Sequence, residues 1–261
     1  IRKFLAREVD RLEPALFLVS QGTGFDGIPF VNLCPLEKYP YAIVSLKTDK
    51  NHWAYDWERE LIKKTWQNSA RNFFVSEENK QLNAEQFNLK PDNLEVVFNP
   101  YSTQFDEPIP WTFDSSEKVR IACPARLYPL DKGQDILLRV LADPKWRQRN
   151  LEVSFFGKGA NEHGLKDLAK YLKLENVSFR GQVSDMAGIW REHPAIILPS
   201  RNEGLPIVLI EAMLCGRVPI VTDVGGNRDV IENNVTGFLA KSVDESGVDE
   251  AMERAWQNMS K

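Results

Sequence analysis

The second half of the chain alternates between short apolar runs and amphipathic stretches. Apolar runs without period-two alternation predict buried parallel strands, and apolar positions three and four residues apart predict helices. The predicted strands are 118–126, 151–157, 176–181, 195–199, 218–222 and 237–240. The predicted helices are 132–143, 161–173, 184–192, 206–216, 227–232 and 246–259. This order predicts an α/β domain, a Rossmann-like parallel sheet with helices on both faces.

The first half is less regular, but it also predicts strands separated by helices. The strands are expected at 14–20, 41–46, 71–76 and 94–100, and the helices at 55–70 and 77–88. The segment from 101 to 119 is polar, contains prolines and has no periodicity, as a linker would. We therefore predict two domains, at 1–110 and 111–261.

Composition and charge narrow the class of protein. The chain has 261 residues, with 33 Lys and Arg against 37 Asp and Glu and no basic block, which argues against a nucleic-acid partner. Three dispersed cysteines, Cys34, Cys123 and Cys215, predict reduced thiols and a cytoplasmic protein. With three histidines in all, no metal site or other cofactor is expected.

No apolar run reaches the 18 residues of a membrane span, and no signal peptide is visible. The chain begins with Ile1 rather than Met, and its first residues are typical of the middle of a domain. We expect the natural N-terminus to be missing.

Candidate ligand-binding residues follow the predicted strands, where open parallel sheets bind ligands. The start of the 206–216 helix is a candidate phosphate site, because its first amides have no helical partner and carry the positive end of the helix dipole. Arg126, at the end of the 118–126 strand, and Lys132, six residues later, add two cations for a diphosphate, without a metal. Pro206 has no N–H, so the amide donors are those of Leu205, Ile207 and Val208.

Two glutamates flank that helix start. Glu211 lies inside an otherwise apolar helix. Burying a carboxylate there is costly unless a protein partner or a ligand donates hydrogen bonds to it. It suits a vicinal diol such as a ribose, and Glu203, in the preceding loop, suits a sugar beyond the phosphates. Structural alternatives stay open: a buried ion pair for Glu211, a helix-dipole contact for Glu203, and a surface ion pair for Arg126.

Several segments resemble family-4 retaining glycosyltransferases, which have the two-domain GT-B fold. The resemblance is strong over 118–240 and looser over 14–102, and Glu203 and Glu211 match the acid pair of that family's donor domain. The segments are ARLYPLDKGQDILL (125–138), FRGQVSD (179–185), PSRNEGLPIVLIEAMLCGRVPIVTDVGGNRDVIENNVTGFL (199–239), RNFFVSEENKQL (71–82) and LEVVFNPYS (94–102). On this resemblance, residues 1–110 are the C-terminal part of an incomplete acceptor-side domain with the linker, and 111–261 the donor domain.

The resemblance implies transfer of a sugar from a nucleotide-diphospho-sugar to a hydroxyl acceptor, with retention at the anomeric carbon. The acceptor would be a saccharide, a lipid-linked or a small molecule, with peripheral membrane contact as an option. Arg126, Lys132 and Glu203 would be catalytic. The other donor-binding residues would be Gly181, Val183, Gly204, Leu205, Ile207, Val208 and Glu211.

The chain also departs from the family pattern. The family's glycine-rich loop after the first strand is absent, and Ser20, Gln21 and Gly22 stand where many members have a histidine. Two alternatives therefore remain: a non-catalytic or incomplete nucleotide-sugar-binding module, and another GT-B enzyme such as an epimerase or phosphorylase. A Rossmann dehydrogenase is disfavoured, because no G-x-G-x-x-G turn follows the 118–126 strand.

Overall fold

A computed structural model describes residues 2–33, 39–100, 109–110 and 118–259. Its contacts divide the chain into two compact units. The first comprises Ile1–Asn99 together with Glu203–Leu205, and the second comprises Pro100–Asn202 and Pro206–Lys261. The predicted domain boundary at residue 110 stays a prediction, since 101–108 and 111–117 lie outside the described residues.

The first unit contains a parallel sheet in the order β1-β2-β3-β4. Its core packs Ile43 of β2 and Phe74 of β3 against Trp66 of α3, whose ring stacks on Phe74 with 5.5 Å between ring centroids. The strands are β1 (Phe17–Gln21), β2 (Tyr41–Ser45), β3 (Arg71–Phe74) and β4 (Leu94–Val96). The helices are α1 (Arg2–Leu12), α2 (Ile28–Leu33), α3 (Asp56–Asn68) and α4 (Glu77–Phe87), with a 3-10 turn at Pro91–Asn93.

The second unit contains a parallel sheet in the order β10-β9-β8-β5-β6-β7. Strand order reverses between β5 and β8, which is the position where open α/β sheets bind ligands. The strands are β5 (Val119–Pro124), β6 (Leu151–Phe156), β7 (Val177–Gly181), β8 (Ala195–Leu198), β9 (Val218–Thr222) and β10 (Phe238–Ala240). The helices are α5 (Pro129–Lys132), α6 (Gln134–Leu141), α7 (Pro144–Gln148), α8 (Glu162–Tyr171), α9 (Met186–Glu192), α10 (Ile207–Leu214), α11 (Asn227–Val230) and α12 (Glu245–Met259).

Helices cover both faces of this second sheet. Along β8, Ala195 and Ile197 join the core formed with α6, α8 and α12. Ile196 and Leu198 join the core formed with α9 and α10 on the other face. The apolar, non-alternating strand pattern is explained by this double burial, and the predicted Rossmann-like character of the domain is confirmed.

The helix predicted at 132–143 is wrong in one respect that affects the candidate site. Gly133 adopts φ 61° and divides the segment into α5 and α6. Lys132 therefore ends α5 and does not begin the longer helix. A residue with positive φ interrupts an α-helix, and glycine adopts that conformation without steric cost.

The pattern also does not predict α1, α2 or α7. The last two have six and five residues, which is too short for a helical period to be visible. No helix among the described residues is long and apolar enough to cross a membrane.

Candidate functional site

The second unit has a pocket at the carboxyl ends of its central strands, with a cavity volume of about 300 Å³. Its walls come from the ends of β5 and β6, the segment after β7, and helices α9 and α10. Most of the side chains are apolar, which suits a planar, weakly polar group. The lining residues are Pro124, Ala125, Phe156, Gly157, Gln182, Val183, Met186, Ile189, Ile207, Val208 and Glu211.

One face of α10 supplies the polar end of this pocket. Ile207 and Glu211 are four residues apart and so lie on the same side of the helix, next to Val208. Leu209 and Ala212 point the other way, into the core shared with β8 and β9. The helix therefore faces the sheet with its aliphatic side and the pocket with its carboxylate.

Glu211 is half-buried at the edge of the pocket. Burial raises the pKa of its carboxyl group, and no cation among the described residues acts against that rise. The alternative of a buried structural ion pair for Glu211 thus finds no support in the described part of the chain. The carboxylate faces an open pocket, where a hydroxyl-bearing ligand would provide the hydrogen bonds.

The start of α10 borders the same pocket. Pro206 precedes the helix with φ −71° and ψ 116°, and among the described residues no side chain caps the first turn. Ile207 and Val208 line the pocket, and amides in the first turn of a helix lack helical carbonyl partners. These amides can donate hydrogen bonds to an anionic ligand.

Arg126 follows Ala125, a pocket residue at the end of β5, but its own side chain is turned along the surface. The guanidinium lies 3.0 Å from the Asp131 carboxylate and over the Tyr128 ring, 5.1 Å from its centroid. The structural alternative of a surface ion pair for Arg126 is thus the arrangement observed. Such an exposed pair is worth about 0–1 kcal/mol, so its rearrangement toward a phosphate is inexpensive.

Lys132 lies near the end of β5. Burial raises the pKa of the Cys123 thiol to about 12, and the charge of Lys132 opposes that rise, which places the ammonium group within electrostatic reach of this strand end. The loop after β8 is held to the same region: the Arg201 and Asn202 amides donate to the Asp131 carbonyl at 2.7 and 3.1 Å.

A bidentate ion pair reinforces that attachment. The Arg201 guanidinium donates to both carboxylate oxygens of Asp135, at 2.6 and 2.9 Å, and to the Pro129 carbonyl at 2.7 Å. These hydrogen bonds therefore fix the loop after β8 to the α5–α6 region, which includes Lys132. The sequence did not single out Arg201, because its partners lie 66 and 72 residues away.

Glu203, Gly204 and Leu205 group with the first unit. The Asn79 side-chain amide donates to the Glu203 carbonyl at 3.2 Å, and that of Asn99 donates to the Leu205 carbonyl at 3.1 Å. Glu203 is 6% exposed. Because these residues belong to one unit and Glu211 to the other, their joint role at the donor stays a prediction.

The segment predicted to hold a base lies at the end of β7. Gly181 is the last residue of the strand, and its carbonyl accepts a hydrogen bond from the Gly157 amide at 2.7 Å. The next residues, Gln182 and Val183, line the pocket.

The Phe156–Gly157 wall was not predicted from the sequence. Gly157 has φ 124°, and a Cβ at this position would lie 2.2 Å from the Ala125 carbonyl oxygen. Only glycine allows β5 and β6 to approach so closely beyond their last paired residues. A glycine directly after the apolar run LEVSFF was the available signal.

Two polar side chains outside the lining of the pocket are buried. The Gln21 side-chain amide donates to the Gly24 carbonyl and the Ser45 hydroxyl. His193 is buried against the Phe156 ring, and burial lowers its pKa. Cys123 and Cys215 are buried free thiols, while Cys34 lies outside the described residues. Within the described ranges, no group of three or more His, Cys, Asp or Glu side chains could hold a metal ion.

Comparison with known proteins gives the family and the fold. The family model "Glycosyl transferases group 1" matches residues 118–258, just over half of the chain. The chain is 37% identical over 115 residues to an uncharacterized glycosyltransferase of Haemophilus influenzae, covering 42% of this chain and 32% of that protein. It is 29% identical over 153 residues to a D-inositol 3-phosphate glycosyltransferase of Saccharomonospora viridis, covering 53% and 35%. The chain spans about a third of the length of these curated relatives.

Solved GT-B glycosyltransferases are its structural neighbours. A TarM mutant from S. aureus, in complex with fondaparinux, alpha-GlcNAc-glycerol and UDP, aligns with a TM-score of 0.78 at 17% identity, covering all of this chain and 52% of that one. Anabaena HepE in complex with UDP and glucose aligns at 0.78 and 18%, covering 99% and 73%. At such identities the likeness concerns the fold, and the predicted α/β GT-B class is confirmed. Together with the family match over 118–258, this shows that the chain belongs to the glycosyl transferases group 1 family.

Proposed function

We propose that the chain carries the donor site of a retaining glycosyltransferase, which transfers a sugar from a nucleotide-diphospho-sugar to a hydroxyl acceptor. The observation that carries the proposal is the pocket beside α10, in which the Glu211 carboxylate is half-buried and no cation among the described residues opposes the rise of its pKa. A group with a raised pKa in a cleft is a candidate functional residue. In this family context a nucleotide ribose is the ligand we expect.

The nucleotide end of the donor fits the chemistry of the pocket. An apolar slot formed by Phe156, Val183 and Ile189 suits the faces of a base. The Glu211 carboxylate can accept hydrogen bonds from both hydroxyls of a ribose. UDP was bound in the TarM and HepE crystals named above, which supports a nucleoside diphosphate as ligand for this fold.

The diphosphate would be held by charge and by backbone amides. We assign this to Arg126, Lys132 and the amides of Leu205, Ile207 and Val208. These groups would offset the negative charge that develops on the leaving phosphate, which is electrostatic stabilisation of the transition state. By resemblance to the family, the departing phosphate oxygen would take the proton of the acceptor hydroxyl on the same face of the sugar. The bond from the anomeric carbon to phosphate breaks, the bond to the acceptor oxygen forms, and configuration is retained.

The sugar end of the donor remains assigned by resemblance. Glu203, with the Gly204 backbone, would contact the transferred sugar, and a saccharide, lipid-linked or small-molecule hydroxyl would accept it. We expect Glu203→Ala to bind free nucleoside diphosphate like the wild type while losing use of the sugar donor.

Isothermal titration calorimetry with UDP, GDP and ADP tests the donor site. We expect one of the three to bind, and Glu211→Ala to weaken its binding by about tenfold to a hundredfold through loss of charge-assisted hydrogen bonds. Lys132→Ala should also weaken binding. Glu192→Ala, an exposed glutamate at the end of α9, is the matched control and should bind normally. Unchanged affinity in both Glu211→Ala and Lys132→Ala would refute the site assignment.

Retention and turnover need a second measurement. Proton NMR of the first product formed in a screen of nucleotide sugars and acceptors gives the anomeric configuration directly. A product with the donor's configuration supports the mechanism, and an inverted product contradicts it. Nucleoside diphosphate binding without any turnover would instead favour a non-catalytic nucleotide-sugar-binding module.

A further inference from the structure

Gln134 is a fully buried polar residue next to the candidate phosphate-binding residues. It is the first residue of α6, directly after the helix break at Gly133. Side chains of an α-helix tilt toward its N-terminus, which directs Gln134 back toward the end of β5. Its side-chain amide donates to the Arg126 carbonyl at 2.8 Å. Gln134 is 0% exposed, so it contacts the backbone of the candidate phosphate-binding arginine from inside the core.

The hydrogen-bonding capacity of the Gln134 side chain is only half used. Because a carbonyl can only accept, the group that faces Arg126 is the NH2 group, and the amide oxygen Oε1 is left for another partner. That oxygen is buried and has no hydrogen-bond partner among the described residues. A buried polar atom without a partner lowers stability, and an apolar side chain of similar length would avoid this cost. The stability of the fold therefore does not explain an amide at this position, whereas the bond to Arg126 does.

The backbone around Arg126 is fixed, while its side chain can rearrange. The Tyr128 amide also donates to the Arg126 carbonyl, at 2.8 Å. The amides of Ala125 and Leu127, on either side, donate at 3.0 and 3.1 Å to carbonyls at the end of β6. The Arg126 guanidinium is 61% exposed, and its ion pair with Asp131 is inexpensive to rearrange. A side chain that can swing toward an anion thus starts from a peptide that does not move.

We propose that Gln134 is a positioning residue of the donor site, whose amide holds the Arg126 peptide in place for binding of the diphosphate. This role rests on the proposed function, because Gln134 acts through Arg126 on the phosphates. Fixing the backbone in advance lowers the entropy cost of placing the guanidinium on a phosphate. Gln134 itself is too deeply buried to touch the ligand.

Gln134→Met tests the proposal, because methionine keeps an unbranched side chain of similar length and has no N–H group. The Arg126 carbonyl keeps the Tyr128 amide as a donor, so urea unfolding should give a midpoint close to that of the wild type. Calorimetric titration with UDP, GDP and ADP should show about threefold to tenfold weaker binding of the nucleotide that the wild type binds. Gln86→Met is the matched control and should bind that nucleotide normally. Gln86 is 3% exposed, and its amide donates to the Asp49 carbonyl at 3.0 Å in the first unit.

A double-mutant cycle with Arg126→Ala separates positioning from a general effect on the fold. Because Gln134 acts through Arg126, Gln134→Met should weaken binding no further when Arg126 is already alanine. An equal loss of affinity in both backgrounds would overturn the proposal. Wild-type affinity in Gln134→Met or in Arg126→Ala would also overturn it, as would an unfolding midpoint of Gln134→Met well below that of the wild type.

Failure of the donor site is distinguishable from failure of this proposal. Unchanged affinity in both Glu211→Ala and Lys132→Ala refutes the donor site. Weakened binding in those two variants, together with wild-type binding in Gln134→Met, refutes the positioning role alone.

Discussion

Gly133 connects the candidate phosphate-binding Lys132 to the loop after β8, and its replacement by alanine should be strongly destabilising. Its φ of 61° costs an L-residue about 1–2 kcal/mol. An added Cβ would lie 1.9 Å from the Pro199 carbonyl oxygen, which is a backbone atom that cannot rotate away. Relieving such an overlap by shifting backbone costs about 1–3 kcal/mol. The expected loss in unfolding free energy is therefore about 2–5 kcal/mol, a large part of the about 5–15 kcal/mol of an ordinary domain.

Urea unfolding followed by circular dichroism measures this loss, with two comparison variants. Gly164→Ala, in α8, has no atom within 4 Å of the added Cβ and should stabilise the protein by about 0.5–1 kcal/mol. Gly133→Asn separates the two contributions, because asparagine tolerates positive φ but still carries the Cβ. It should recover only the conformational part of the loss. An unfolding midpoint of Gly133→Ala equal to the wild type would refute the reasoning, and with it the fixed attachment of Lys132 to this loop.

Two further predictions concern buried groups. Asp249→Ala should lower the unfolding free energy by about 1–3 kcal/mol, because the buried Trp146 indole N–H, which lies 2.6 Å from the Asp249 carboxylate, loses its acceptor. Asp249→Asn keeps an acceptor and should lose less. An equal loss of unfolding free energy in both variants would contradict this explanation. Glu211→Gln should raise the melting temperature of the ligand-free protein at neutral pH. The pKa of Glu211 is higher in the folded than in the unfolded state, so its charged form costs stability there and the cost disappears as pH falls through that pKa to the ordinary value of about 4.3. Melting curves across this pH range should show the advantage of Glu211→Gln shrinking with acidity; an advantage independent of pH would argue against a titrating carboxylate as its source.

Central strands of the second unit such as β8 could be predicted from the sequence because they are buried on both faces. In the run Ala195–Leu198, alternate side chains pack into the two cores on opposite faces of the sheet, so every position is apolar. The helix break at Gly133 could not be predicted in the same way, since its cause is the approach of Pro199, far along the chain. A glycine inside an amphipathic stretch looks the same in sequence whether or not a carbonyl lies against it.

The candidate site was predictable to a similar, partial extent. Glu211 could be singled out from the sequence, because burying a carboxylate among apolar helix neighbours is costly. Phe156 and Ile189 could not be singled out, because the sequence does not distinguish apolar residues that line a pocket from apolar residues that fill a core. Glu203 was predicted beside Glu211 from the same motif, yet its contacts group it with the first unit. Grouping of this kind depends on tertiary contacts such as that with Asn79, which no local pattern records.

The charged groups near the end of β5 differ in how their charge is compensated, and this difference carries the functional argument. Asp135 and Arg201 form a bidentate pair that lowers the pKa of one and raises that of the other, so both are stabilised in the charged form. The pKa of Glu211 is instead raised, and burial is the cause. A folded chain that compensates one carboxylate fully and leaves a second at a cost, facing a cavity, has stability to regain when a ligand supplies the missing hydrogen bonds. Binding energy at Glu211 would then include relief of that cost, which is why the same residue is expected to limit the stability of the free protein and to determine its affinity for a nucleotide.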